Sequence, residues 1–240
     1  MTGTLALVRL ALRRDRLMLP GWILVIAGAV AGTASAIAEL YPGMTQRIAL
    51  GASIGSTPAL QAITGPVYDA TSVGGLTAWR ATTITAVLAA LMNVLLVIRH
   101  TRAEEESGRA ELVGACVVGR HALPAAALVV TGGTNLLIAM LLTAVLAGQG
   151  LPVPGALAFG LGIAGTGWVF AGVAAVTAQL TEHARTANGL AVAALGLAFL
   201  LRAAGDAAGI EALPGLHRWP GPTGCAPSPA SAGGCSGWPP

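Results

Sequence analysis

Charged residues cut this chain into long apolar runs. Leu17–Ala38, between Arg16 and Glu39, carries no Arg, Lys, Asp or Glu and holds Trp22-Ile23-Leu24-Val25-Ile26. Three further runs are equally free of these residues: 81–98, 121–181 and 186–201. A helix needs about 20 apolar residues, with a range of about 17–25, to cross the hydrocarbon core of a bilayer. The run 121–181 is too long for one crossing. Gly148-Gln149-Gly150-Leu151-Pro152-Val153-Pro154-Gly155 breaks it with turn residues, which predicts a hairpin of two helices. The run 186–201 is short, but Arg202 can snorkel to the interface and extend it. The pattern predicts an all-α polytopic membrane protein with about five transmembrane helices, at about 17–38, 81–98, 123–146, 156–180 and 186–201. The first run exceeds the roughly 7–15 residues of a signal-peptide core, so it reads as a retained helix.

The segment 39–79 is the main rival for a further crossing, being uncharged from Ile48 to Tyr68. Pro58, Pro66 and three glycines lower its apolar density. It predicts short interfacial helices, one starting with Thr57 as cap and Pro58 at its first position. Gly65-Pro66 and Gly74-Gly75 should punctuate them. Arginine placement then orients the chain. With the N-terminus in the cytoplasm, Arg9, Arg13, Arg14, Arg16, Arg99, Arg102, Arg109, Arg120 and Arg185 lie inside. Arg47, Arg80, Arg202 and Arg218 lie outside.

Composition agrees. The 240 residues are 55% hydrophobic and only 10% charged, with a mean hydropathy of +0.74. Soluble domains carry about 25% charged residues. All 13 basic residues are Arg. Without Lys there is no phosphate-binding G-x-x-x-x-G-K-[ST] loop, so ATP hydrolysis by that route is excluded, as is a Lys Schiff base. The chain therefore reads as no enzyme and as needing no cofactor. Arg-only usage with abundant Ala, Gly, Val and Leu suggests a GC-rich bacterial genome. The net charge of +3 is small, and no basic patch with interleaved aromatics marks a nucleic-acid partner. Cys116 stands alone, and Cys225 and Cys235 have no second pair for a zinc site.

Two polar segments stand out. Wound at about 100° per residue, 4–16 places Leu5, Leu7, Val8, Ala11 and Leu12 on one half of a helix and Arg9, Arg13 and Arg16 beside them. Asp15 falls inside the apolar arc and spoils the stripe. The segment reads either as an amphipathic interfacial helix facing anionic headgroups or as a positive flank that only orients the first crossing.

The second segment is Arg99–Leu112, which holds Arg102, Glu104, Glu105, Glu106, Arg109 and Glu111 between two crossings on the cytoplasmic side. Thr101 and Glu104 have capping-box spacing, which predicts a helix from Arg102. Arg102–Glu106 and Glu105–Arg109 are spaced as i,i+4 ion pairs. Such a helix is either a solvated loop or a docking surface for a soluble partner. Dense charge in a chain with little elsewhere favours docking. A helix spreads three consecutive Glu side chains at about 100° intervals, so they do not converge on a metal. His121 and His183 read as interfacial.

The crossings themselves hold no Asp, Glu, Arg or Lys, which argues against a proton-driven carrier and against acid–base hydrolysis in the membrane. Asn93, Asn135, Thr and small residues line them. Gly160, Gly162, Gly165 and Gly167 are expected to allow close helix packing. A weakly polar lining suits an amphiphilic cargo.

Four stretches carry a family resemblance: Thr4–Trp22, Leu60–Asp69, Thr71–Arg80, and Arg99–Leu112 with Val118-Gly119-Arg120. Together they resemble actinobacterial type-2 permeases of ATP-binding-cassette (ABC) exporters, a family associated with export of polyketide antibiotics and other drugs. Residues 121–210 are similar in span pattern only. The resemblance implies an export subunit in the bacterial cytoplasmic membrane, driven by a separate ABC ATPase that docks on a coupling helix mapping to Arg99–Leu112. It also implies a small amphiphilic cargo and, as a further partner, a second permease half or a second copy. The different-class alternative is a non-transporting membrane scaffold that holds a soluble protein through 101–112.

The expected organisation is a permease domain over 1–213 and an irregular tail over 214–240, rich in Pro, Gly, Ser, Ala and Cys. Back-translation of Pro222–Ser236 with GC-rich codons, read two bases on, permits a run similar to the segment ahead of the family's sixth crossing. On that reading the tail is frameshifted and the chain is the N-terminal half of a permease.

Overall fold

The computed structural model describes residues 4–108 and 122–207, and among these all regular structure is helical. In chain order the helices are α1 (Thr4–Arg14), α2 (Met18–Leu40), α3 (Met44–Gly55), α4 (Pro58–Thr64), α5 (Val73–His100), α6 (Arg102–Glu106), α7 (Ala122–Gly148), α8 (Val153–Leu180) and α9 (Ala184–Ala207). Among them α2, α5, α7, α8 and α9 are long and apolar enough to cross a membrane. Helices α5 and α9 contain the uncharged runs 81–98 and 186–201, α2 covers all but the first residue of 17–38, and α7 and α8 divide 121–181. In hydrocarbon a helix satisfies its own backbone groups, which is why apolar length and helix length coincide here. The hairpin break lies where Gly150 takes a positive φ of 81° between α7 and α8.

Two local expectations change. Gly74-Gly75 does not interrupt the chain but lies in the first turn of α5, eight residues ahead of the expected start at 81. The Ser72 hydroxyl caps the helix by accepting the Gly75 N–H at 2.9 Å. The Asp69 side chain packs on Gly75, where an added Cβ would sit 2.7 Å from the Asp69 Cβ. Glycine here admits the capping loop rather than ending a helix. Thr57 stands at the N-cap of α4 with Pro58 next, but its hydroxyl donates to the Ser53 carbonyl at 3.4 Å and caps nothing.

Helix α5 is the centre of the bundle. Ala89, Met92 and Leu96 pack with Ile26, Val30 and Ala34 of α2 and with Ile138 and Leu142 of α7. Val94, Val97 and Ile98 pack with Phe170, Ala171 and Ala174 of α8 and with Ala187 and Ala191 of α9. Helix α9 is peripheral, with Leu190, Leu197, Leu200 and Leu201 exposed.

One polar contact crosses this core. Asn93 and Asn135 are fully buried and exchange two amide hydrogen bonds of 2.9 Å between α5 and α7. Gly167 of α8 lies against that pair, and Gly160 lies on the Ala139 carbonyl of α7, 2.6 Å from where a Cβ would be. Gly162 and Gly165 meet nothing within 4 Å. Only two of the four glycines therefore bring helices together. Residues 160 and 167 are two turns apart and share the buried face, while 162 and 165 point away.

Candidate functional site

The charged segment after α5 forms a knot at one end of the bundle. Thr101 is both the last cap of α5 and the first of α6. Its hydroxyl donates to the Val97 carbonyl at 2.7 Å, so the expected capping box with Glu104 is not made. Glu104 instead turns inward and forms an ion pair with Arg14 of α1. Arg102 pairs with Glu105 one turn on, an i,i+3 contact in place of the expected Arg102–Glu106 pair. Both spacings are neighbours on a helix surface.

Glu106 is thereby released to accept the backbone N–H of Ala184, the first residue of α9, at 2.6 Å. A carboxylate at a helix N-terminus is favourable because unpaired N–H groups and the helix dipole meet it there. Helix α6 buries no residue, yet it is bound to both α1 and α9. Glu105, Glu106 and Ser107 keep an exposed face. Arg109 and Glu111, with the expected Glu105–Arg109 pair, lie outside the described residues, as do His121 and the tail 214–240.

A residue not counted among the candidates completes the knot. Asp15, between α1 and α2, is fully buried. Its Oδ1 is 3.1 Å from the Arg99 guanidinium, and its Oδ2 meets His100 Nε2. Its misfit in the apolar arc of 4–16 was the signal in the sequence. The side chain points inward because its partners, the Arg99 guanidinium and the His100 ring on the last turn of α5, lie there. Asp15, Arg99 and His100 thus tie the α1–α2 junction to the end of α5, and Arg14–Glu104 repeats the link one step along.

The opposite end is held differently. Arg202 of α9 donates to Thr83 Oγ1 at 2.8 Å and pairs with Asp206 at 3.3 Å, beside Gly65, whose φ is 84°. Trp79 Nε1 donates to the Gly65 carbonyl at 2.8 Å. Arg202 is therefore engaged with α5 rather than extended freely to an interface. Partial burial raises the Asp69 carboxyl, but hydrogen bonds from Ser72 and Thr71 outweigh it and hold the group below its ordinary value. Among the described residues no three His, Cys, Asp or Glu side chains converge as metal ligands.

Five helices fit to cross a membrane, and a charged helix tied at one end to two of them, α5 and α9, and to α1, define a multi-pass membrane protein. No protein-family model matches the chain. A multidrug efflux system permease protein of Mycobacterium tuberculosis is 44% identical over 207 residues, or 86% of this chain. This chain is accordingly a homologue of a multidrug efflux permease, as its resemblance to exporter permeases implied. The matched length reaches beyond the stretch 4–120 that carried the resemblance. The chain spans 37% of the length of that relative.

Proposed function

We propose that this chain is part of the transmembrane subunit of an ABC exporter that moves amphiphilic small molecules out of the cell. A separate ATPase subunit docks on α6 and supplies the energy. The permease portion is 1–213, the N-terminus is cytoplasmic, and the remainder of the pore comes from a second permease half or a second copy.

The observation that carries this reading is the wiring of α6. Only Thr101 separates it from α5, Glu104 ties it to α1, and Glu106 ties it to α9. A push on the exposed Glu105–Ser107 face is delivered to α1 and two crossing helices together, which suits rigid-body switching between inward and outward states. The name of the homologue, a multidrug efflux permease, supports an amphiphilic cargo.

The test is a double charge reversal, Glu105→Arg with Glu106→Arg, in the chain co-expressed with its ATPase. Opposed like charges at a docking surface cost several kcal/mol. Loss of the Arg102–Glu105 pair costs only about 0.2–0.5 kcal/mol. Reversal at the α9 N-terminus adds about 0.3–1 kcal/mol. Membrane insertion should therefore survive while co-purification of the ATPase and ATP-dependent efflux are lost. Glu106→Gln, which keeps an acceptor for Ala184, should retain both. Wild-type recovery of the ATPase by the double variant would reduce α6 to a solvated loop.

A further inference from the structure

Beside the knot, the start of α2 and the length of α1 do not close fully against α7. The gap is a groove of about 440 Å³ walled by Val8, Leu12, Leu19, Ile23, Val129 and Leu137, with Arg16 at its rim. A second depression along α1 shares Val8 and Leu12 with it and is edged by Arg9 and Arg13. The two share a wall, and Arg9, Arg13 and Arg16 lie together on one side of α1 beside this apolar trough. All three are exposed. Asp15 also lines the groove, but its carboxylate is engaged by Arg99 and His100 and presents no free anion. Helix α1 further exposes Leu5 and Leu10, at 86% and 59%, on either side of Arg9 and Arg13, where acyl chains can cover them.

We infer that this trough binds one anionic phospholipid, with an acyl chain in the groove between α1, α2 and α7 and the phosphate among Arg9, Arg13 and Arg16. Charge complementarity selects the occupant. Basic pockets between crossing helices suit anionic headgroups, whereas a zwitterionic lipid brings its own cation to the same arginines. The lipid holds α1 against α7, and α1 holds α6 through Arg14–Glu104, so the site lies beside the proposed docking helix. The binding itself does not depend on the transport reading.

The experiment is native mass spectrometry of the full chain, purified in detergent and titrated with phosphatidylglycerol or phosphatidylcholine. One phosphatidylglycerol should bind in preference, by at least about tenfold. Arg9→Gln, Arg13→Gln and Arg16→Gln together should remove the preference while leaving phosphatidylcholine retention unchanged. Gly133→Leu should block both lipids, because Gly133 lines the groove and an added Cβ there meets nothing within 4 Å. An unchanged unfolding midpoint checks that the larger side chain fills the groove without disturbing the packing. Excess inorganic phosphate should displace little phosphatidylglycerol, since the acyl chain supplies part of the affinity. Equal binding of the two lipids, full displacement by phosphate, or undiminished binding to Gly133→Leu would each overturn the proposal.

Discussion

Gly167→Ala should loosen the bundle, whereas Gly162→Ala and Gly165→Ala on the same helix should not. A Cβ at 167 would lie 2.7 Å from Asn93 Nδ2 and closer still to Asn135 Oδ1. To admit it, α8 must withdraw or the amide pair must open. Overpacking a filled core costs about 1–3 kcal/mol. Breaking two interhelical hydrogen bonds in a membrane adds about 0.6 kcal/mol each. Ala recovers about 0.8–1 kcal/mol of helix propensity over Gly, which leaves a net loss of about 1–3 kcal/mol. The two control substitutions meet no atom within 4 Å and keep the propensity gain. The assay is unfolding in mixed micelles titrated with dodecyl sulfate, followed by far-ultraviolet circular dichroism. A cycle isolates the cause. With Asn93→Ala and Asn135→Ala already in place, Gly167→Ala should become nearly neutral, because the atoms it strikes are gone. An unfolding midpoint for Gly167→Ala equal to that of Gly165→Ala would refute the reasoning. So would an undiminished cost in the double-Ala background.

Asp15→Ala should lower the same midpoint by about 1–3 kcal/mol. That is less than the roughly 3–5 kcal/mol for orphaning a fully buried charge, because Arg99 is 34% exposed and can turn to water; no change would mean the knot is decorative. For Asp69 the folded pKa lies below the unfolded value of 3.8. Its stabilisation is therefore complete above that value and fades as pH falls through the lowered one. The protection factor of the Gly75 amide, its exchange corrected for the intrinsic pH dependence, should fall in acid, and Asp69→Asn should flatten that fall. In a chain with its native cysteines replaced by Ser, cysteine probes at Thr57 and Gln149 should label from outside intact cells and one at Ser107 should not. Outside labelling at Ser107 would invert the topology and remove the docking surface.

The number of crossing helices and the turn at 148–155 were legible in the one-dimensional pattern, whereas the start of α5 at Val73, eight residues ahead of its uncharged run, was not. Matching apolar length to bilayer thickness is a local comparison, and Gly and Pro mark turns wherever they occur. The charged helix after α5 was legible for the same reason, as one of two dense charge clusters in a poorly charged chain. Three other features needed the packed bundle. Gly160 and Gly167 approach a neighbour while Gly162 and Gly165 do not, which depends on the rotation of α8 about its own axis. Gly74-Gly75 continues a helix because the Asp69 loop folds back onto it. Asp15, a blemish in an amphipathic stripe, is the buried anchor of the knot because His100, 85 residues away, is brought beside it. Local preference sets which segments become helices, but a side chain's role depends on what stands opposite it, and here that neighbour arrives from a distant part of the chain.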